Sequence, residues 1–265
     1  MTFLEFTKLL RTEVKSALPE LIYAPAESRP GLFFGGSNIF WEKIKELRKY
    51  TDSTADKFSK EHVGSTGWEY EMMMAEFDGK FFYSAPSTSR DYTQVTSKHS
   101  LGVKPALDNA TMTLTEEVTI DDKVVSKTKI TGRDKVEKRI KEVWSGEAST
   151  HKTRPQFVCH FHSHPQVQVS GSEKRIYTFF SPQDLNSLLY GSTPIMGLVT
   201  DRLWLLIKPK TSSSAPASAD LQEVTRTEAQ DPGNLEAKAA EVMNKYGFAL
   251  YVAPFGGTFK RLTKA

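Results

Sequence analysis

The chain has 265 residues, of which 38% are apolar and 25% charged, with 16 glycines and 13 prolines. This composition is typical of a soluble globular protein and excludes disordered, collagen-like and coiled-coil chains. Lysine and arginine number 35 and aspartate and glutamate 32, a net charge of +3, so the charge balance favours neither nucleic acid nor a membrane as partner.

Targeting and redox features are few. The single cysteine, Cys159, cannot form an intrachain disulfide, so an oxidising compartment is not required. Residues 1–14 alternate apolar and charged side chains, unlike a secretory signal, and no apolar run is long enough to span a bilayer. We therefore expect a soluble intracellular protein of the cytoplasm.

The first 50 residues predict two amphipathic helices. Apolar residues at helical spacing within residues 3–14 indicate a helix that ends before Pro19, and the proline-bearing stretch 25–36 indicates a loop. The second helix is predicted from four apolar residues that we expect in the core: Ile39, Phe40, Ile44 and Leu47.

The middle of the chain predicts two hairpins and a helix. Residues 69–83 form an apolar run, an Asp-Gly turn and an aromatic run, which is typical of a hairpin. Residues 111–131 repeat this pattern around Asp121 and Asp122, and residues 133–144 predict a charged helix with one apolar side. The segment of about 84–146 is interpreted as an insertion within a core of about 60–208.

The last third predicts strands and helices in alternation. Strands are predicted at 157–164, 195–200, 203–207 and 248–252, and helices at 184–190 and 235–246. Residues 211–233 are rich in Ser, Ala, Pro, Asp and Glu and indicate a flexible loop. The order predicts an α/β or α+β fold, a single domain over residues 1–265 with a central mixed sheet flanked by helices.

Four of the six histidines lie between residues 151 and 164, and His160, His162 and His164 alternate. Alternate strand residues point to one face, about 6.6 Å apart, so two imidazoles can converge on one metal ion. A zinc site needs a further ligand, preferably anionic, and Asp184 at the start of a predicted helix is the nearest downstream. The alternative is that the histidines are solvent-facing strand residues, or that backbone groups satisfy their hydrogen bonds.

The run from His162 to Pro165 (HSHP), followed by Ser181 to Asp184 (SPQD), resembles the JAMM motif of the JAB1/MPN/Mov34 metalloproteases. The resemblance extends over residues 157–208 and implies a JAB/MPN-like domain that binds Zn²⁺. It also implies that Ser181 donates a hydrogen bond to the developing oxyanion. The zinc ligands that it implies are His162, His164 and Asp184.

The family also has an upstream glutamate that acts as general base. The nearest match here is Glu69, with Glu71 as the alternative because it shares the same strand face. The match is loose, since Met72 and Glu76 stand where the family has small residues.

Two neighbours of the motif, His160 and Cys159, are predicted to have structural roles. We expect His160 to support the ligands, and Cys159 to point to the opposite face as buried packing, which disfavours a cysteine protease. The step from His164 to Asp184 is longer than is usual in the family, and the additional residues within 166–177 indicate a polar loop beside the metal.

The resemblance implies a zinc-dependent hydrolase of peptide or isopeptide bonds that acts on protein substrates, with ubiquitin or ubiquitin-like conjugates as a candidate class. The alternative within the family is a catalytically inactive scaffold that binds partners in a protein complex. Another kind of H-x-H metal hydrolase is disfavoured because Pro165 and Gln166 follow the second histidine. No basic helix or aromatic-basic motif supports a nucleic-acid binder.

Overall fold

A mixed sheet with helices against it is the central feature of the computed structural model, which describes residues 38–53, 67–77, 80–89, 99–144, 155–207, 216–257 and 259–263. The helix predicted at 3–14, the loop at 25–36 and the turn at 78–79 lie outside these residues. The mixed α/β class predicted from the sequence is confirmed.

The described residues contain five α-helices: α1 (Asn38–Asp52), α2 (Arg133–Arg139), α3 (Pro182–Tyr190), α4 (Ser218–Gln230) and α5 (Leu235–Lys245). A π-helical turn at Ile140–Trp144 continues α2, and a 3-10 turn at Pro232–Asn234 precedes α5. The strands are β1 (Tyr70–Phe77), β2 (Lys80–Tyr83), β3 (Leu101–Asp108), β4 (Thr113–Ile120), β5 (Lys123–Thr131), β6 (Gln156–Ser163), β7 (Gln166–Gln168), β8 (Arg175–Tyr177), β9 (Ile195–Val199), β10 (Arg202–Ile207), β11 (Ala249–Pro254) and β12 (Lys260–Arg261). Among the described residues, no helix combines the length and apolar character needed to cross a membrane.

The seven-stranded sheet has the order β12-β11-β10-β9-β6-β1-β2. Strands β6 and β9 pair in parallel, whereas β9, β10, β11 and β12 form successive antiparallel pairs. Strands β1 and β2 also pair antiparallel, from Met74 opposite Tyr83 to Phe77 opposite Lys80, which confirms the hairpin predicted over residues 69–83.

The chain divides into two compact units. The first comprises Met1–Met72, Pro86–Thr96 and Cys159–Ala265, and the second comprises Met73–Ala85 and Ser97–Val158. The second unit holds most of the segment that the sequence indicates as an insertion, about 84–146.

Helix α1 belongs to the first unit and packs through one stripe of its surface. Phe40, Ile44 and Leu47 are buried as predicted, and the ring of Phe40 lies 5.9 Å from that of Phe161 on β6. Ile39, which was expected in the core, is 59% exposed. The buried residues follow one another at steps of four and three, and Ile39 lies about 100° away from that stripe.

The remaining helices of the first unit, α3, α4 and α5, share a core with β9, β10 and β11. Its largest side chains are aromatic, and the ring of Phe179 lies edge-on to those of Phe180 and Trp204. On β9, Gly197 faces Phe161, and a Cβ there would approach that ring to 2.3 Å. The Phe161 ring therefore occupies the space that a side chain at position 197 would need.

The prediction of a flexible loop at 211–233 is wrong over most of that range, because α4 occupies Ser218–Gln230. Only two residues of this helix, Leu221 and Val224, are buried in the core, and they lie three positions apart on one face. The polar residues between them face outward. Most of this amphipathic helix is therefore polar, and its composition resembles that of a linker.

The polar loop predicted within 166–177 is also corrected, because β7 and β8 form a hairpin there. Val167 pairs with Ile176, which is buried, and Gly171 lies in the connection with a φ of 75°. The alternation of apolar and polar residues in QVQVS indicates a strand. The polar residues of that alternation led to the prediction of a loop.

The second unit contains the antiparallel sheet β3-β4-β5. The predicted β4–β5 hairpin is confirmed, and Asp121 and Asp122 form its turn with φ values of 53° and 60°. Strand β3 was not predicted, because Pro105 interrupts it and its second half is exposed; proline is tolerated there because β3 is an edge strand. The predicted helix at 133–144 is confirmed as α2 and its π-helical extension.

Candidate metal centre

Strand β6 brings two of the predicted ligands to one side of the sheet. His162 pairs with Leu198 of β9, and His164 follows the last residue of the strand. The two residues are 2% and 4% exposed, and their ring centroids lie 4.9 Å apart. The alternative that they are solvent-facing strand histidines is therefore wrong.

The third predicted ligand, Asp184, lies in the first turn of α3 and is held by the helix N-terminus. The N–H of Ser181 donates to Asp184 Oδ2 at 2.7 Å, and the N–H of Asp184 donates to Ser181 Oγ at 3.2 Å. This reciprocal capping orients the carboxylate toward the histidines: its Oδ1 lies 3.4 Å from His162 Nε2, and its Oδ2 lies 3.8 Å from His164 Nε2. The S-x-x-D spacing is thus also a helix-capping sequence, which the sequence analysis did not recognise.

His162, His164 and Asp184 form a group that could hold a metal ion, with ligand atoms that all lie within 4.8 Å of one another. Both ring nitrogens of His162 are buried and have no hydrogen-bond partner among the described residues. A buried nitrogen without a hydrogen-bond partner is costly, and a metal ion bound at Nε2, the nitrogen that faces Asp184, would provide one of the two partners that the ring lacks. Two imidazole nitrogens and one carboxylate are a donor set suited to zinc.

His164 is oriented from behind by Thr178, which the sequence analysis did not identify. Nδ1 of His164 donates to the main-chain oxygen of Thr178 at 3.0 Å, and the Thr178 hydroxyl lies at 3.0 Å from the same nitrogen. The proton on Nδ1 leaves the lone pair on Nε2, the nitrogen that faces Asp184. A hydrogen bond of this kind fixes the tautomer and the ring direction of a metal-binding histidine.

The charges of the three side chains are coupled. Burial and the neighbouring His162 lower the pKa of His164 to about 4, so its imidazole is neutral at pH 7. Burial would lower the pKa of His162 too, but the carboxylates of Asp184 and Glu69 raise it above its ordinary value. Burial would raise the pKa of Asp184, yet the two histidines hold it well below its usual range. Asp184 therefore provides the negative charge of the group.

The structure separates the two candidate glutamates. Glu69 immediately precedes β1 and is buried, and its Oε1 lies 3.6 Å from His164 Nε2. Glu71 is also buried, but its Oε2 lies 2.9 Å from His160 Nε2, and its Oε1 accepts a hydrogen bond from Ser87 at 3.3 Å. Glu69 is thus the glutamate adjacent to the three candidate ligands, and Glu71 pairs with His160.

Cys159 is buried, as predicted, and His160 lies next to His162 on β6. The ring of His160 lies 5.8 Å from that of His162 on the same side of β6. Cys159 is a buried free cysteine, and burial raises the pKa of its thiol well above the ordinary value. A thiol in this environment resists ionisation, which agrees with a packing role.

Helix α1 contributes a contact that was not predicted. Arg48 is 8% exposed, and its Nη1 donates to the main-chain oxygen of His164 at 2.8 Å. The sequence contained an indication of this burial, because Arg48 lies four residues after Ile44, on the apolar side of the helix. Also from α1, the hydroxyl of Thr51 hydrogen-bonds that of Ser163.

Comparisons with known proteins returned no relative: no protein-family model matches the chain, and no curated protein or solved structure matches it.

Proposed function

We propose that the chain is a zinc-dependent hydrolase of peptide or isopeptide bonds, of the JAMM type. The main support is the buried group of His162, His164 and Asp184, with the carboxylate of Glu69 at 3.6 Å from His164 Nε2. Metal ligands with one adjacent carboxylate are the combination that zinc hydrolases use.

In this proposal His162, His164 and Asp184 hold the metal. A bound zinc ion supplies Lewis acidity, which polarises a carbonyl group and makes water sufficiently acidic to act as a nucleophile near pH 7. Within this set the imidazole of His164 is neutral at pH 7 and Asp184 is ionised, so Asp184 contributes the negative charge.

Glu69 has the role of general base and then general acid. It accepts a proton from the attacking water as the oxygen adds to the carbonyl carbon, and it passes that proton to the amine nitrogen as the carbon–nitrogen bond breaks. Its position favours this role, because Oε1 lies 3.6 Å from His164 Nε2, beside the candidate ligands, where a general base has to lie to reach the attacking water.

Ser181 has the role of hydrogen-bond donor to the oxyanion. Its oxygen already accepts from the N–H of Asp184, and a hydroxyl that accepts one bond can still donate its own proton. The substrates proposed are proteins, with ubiquitin or ubiquitin-like conjugates as the class to test first, on the resemblance of the motif.

The first experiment measures zinc per chain by elemental analysis in the wild type and in the double variant His162→Ala/His164→Ala. We expect close to one zinc ion per wild-type chain and none in the variant, because the variant removes two of three ligands. A wild-type protein that takes up no zinc, even when zinc is added, would contradict the proposal and favour the inactive scaffold.

The second experiment compares Glu69→Gln with Glu71→Gln in the zinc-loaded protein, using ubiquitin dimers of each linkage and fluorescent peptides as substrates. We expect Glu69→Gln to keep its zinc and to lose about 10²- to 10⁴-fold in kcat, because the amide cannot accept a proton. Glu71→Gln is a matched control, since it makes the same change at the residue that pairs with His160. Equal losses in the two variants would overturn the assignment of the base.

A further inference from the structure

The contact between Arg48 of α1 and the main chain of His164 has a specific cause in the sheet. Strand β6 ends at Ser163, whose partner in the parallel pairing with β9 is Val199, so the carbonyl of His164 lies beyond the last paired residue. The next residue, Pro165, restricts His164 to extended conformations. A buried carbonyl oxygen without a donor destabilises the fold, and Arg48 supplies the donor.

The guanidinium of Arg48 is itself held in one orientation. Its Nε donates to Asp52 Oδ1 at 2.9 Å, and its Nη2 donates to the same oxygen. On another side the group lies 4.9 Å from the centre of the Tyr177 ring. With two nitrogens engaged by Asp52 and a ring against the planar group, the third nitrogen, Nη1, is directed at the carbonyl of His164.

His164 is therefore constrained at three atoms. Its main-chain oxygen accepts from Arg48, its main-chain N–H donates to Val199 O at 3.3 Å, and its Nδ1 donates to Thr178 O. These contacts fix both the backbone of the residue and the direction of its ring. His162 differs, because neither of its ring nitrogens has a hydrogen-bond partner among the described residues.

We propose that Arg48 is a positioning residue of the metal centre, which fixes the backbone of His164 so that Nε2 is already directed at the metal position before a metal ion binds. This inference rests on the proposed zinc site. Arg48 contacts neither metal nor substrate, and it acts through the main chain of a ligand. Without Arg48 the backbone at His164 is free to move. Metal binding then has to order this residue, and the entropy lost in doing so weakens the affinity for the metal.

The test measures the Kd for zinc by competition with a chromophoric chelator, for the full-length wild type, Arg48→Met and Arg48→Lys. We expect Arg48→Met to bind zinc about 10- to 100-fold more weakly, because methionine retains part of the apolar stem and no donor. Arg48→Lys should lie between the two, since lysine can donate to the carbonyl but cannot engage Asp52 in the same geometry. If Arg48→Met does not fold, Arg48→Lys decides the test.

Two controls separate positioning from general loosening of α1. Glu46→Gln neutralises a carboxylate of the same helix that pairs with Lys43 and lies outside the Arg48 contacts, so its zinc Kd should equal that of the wild type. Thr51→Val removes the hydrogen bond to Ser163 from the same helix face, so it should lower the unfolding temperature of the metal-free protein and leave the zinc Kd unchanged.

A spectroscopic measurement adds a result that a purely structural role would not change. With Co²⁺ in place of zinc, the visible absorption bands report ligand geometry, and we expect them to shift in Arg48→Met and to stay constant in Thr51→Val. A wild-type Kd and spectrum in Arg48→Met would overturn the inference while leaving the zinc site intact. A wild type that binds neither metal would instead overturn the proposed function.

Discussion

Asp184 caps α3 and is also a candidate metal ligand, and mutation can separate the cap from the proposed ligand. Its side chain faces His162 through Oδ1, and its Oδ2 accepts from the N–H of Ser181 at the start of α3. We predict that Asp184→Ala loses zinc and also lowers the free energy of unfolding by about 1 kcal/mol, because the helix loses part of its cap. Elemental analysis measures the first effect, and denaturant unfolding in the presence of a chelator measures the second.

Ser181→Ala is the matched control for this prediction. It removes the hydroxyl that accepts from Asp184 N–H but leaves every candidate ligand in place. We expect a loss of about 0.5–2 kcal/mol in unfolding free energy with zinc content unchanged. Full zinc occupancy in Asp184→Ala, or zinc loss in Ser181→Ala, would contradict the division between ligand and cap.

At the residue scale, sequence spacing is sufficient to predict that His162, His164 and Asp184 lie together. It does not predict the residues that orient these three side chains. Alternation along β6 put His162 and His164 on one face, and the structure buries both against Asp184. The alternation of side chains along a strand cannot distinguish Glu69 from Glu71, because residues two apart share a face. That decision depends on how β1 lies against β6, a contact between residues about 90 positions apart in sequence.

At the element scale, the helix that replaced a predicted loop gives the next prediction. Leu221 of α4 is 3% exposed within the core of the first unit. We predict that Leu221→Ala lowers the free energy of unfolding by about 2–5 kcal/mol, through lost apolar burial and the cavity that remains. Denaturant unfolding followed by circular dichroism measures this change.

The adjacent Gln222 is the control for that prediction, because it lies on the exposed side of the same helix. We expect Gln222→Ala to change the free energy of unfolding by no more than about 0.5 kcal/mol. If Leu221→Ala were as mild as Gln222→Ala, the segment would behave as the linker that its composition suggested.

Two elements that the sequence did not predict, α4 and β3, bury few side chains. Helix α1 presents Phe40, Ile44 and Leu47 at helical spacing, and the sequence predicted it. Helix α4 has only two buried residues, and strand β3 exposes most of its second half. Tertiary packing, and not local periodicity, stabilises such elements. The sequence therefore contains little apolar periodicity from which to predict them.

At the scale of the whole molecule, each of the two units has its own group of buried polar side chains. The candidate ligands, Glu69, Arg48 and Thr178 all belong to the first unit. In the second unit the carboxylate of Glu116 is buried, accepts from Nε and Nη2 of Arg139 at 2.8 Å each, and accepts from Trp144 Nε1 at 2.7 Å. Glu116 thereby joins β4 to α2 and to the π-helical turn that follows it.

We predict that Glu116→Ala destabilises the second unit and leaves zinc binding unchanged. The variant removes the carboxylate that accepts from Arg139 and Trp144, and breaking a buried ion pair at one partner costs about 3–5 kcal/mol. Hydrogen exchange should accelerate in peptides of β4 and α2, while elemental analysis should still find the wild-type zinc content, because the second unit supplies no candidate ligand.

Glu117 provides the comparison for this experiment, since it lies beside Glu116 on β4 but on the other face. It pairs with Lys127, whose side chain is 54% exposed, and a pair in contact with solvent contributes about 0–1 kcal/mol. Glu117→Ala should therefore leave hydrogen exchange close to that of the wild type. Glu116→Ala could instead lose zinc together with its protection against hydrogen exchange. That result would contradict the prediction, because it would show that the metal site depends on the second unit for its stability.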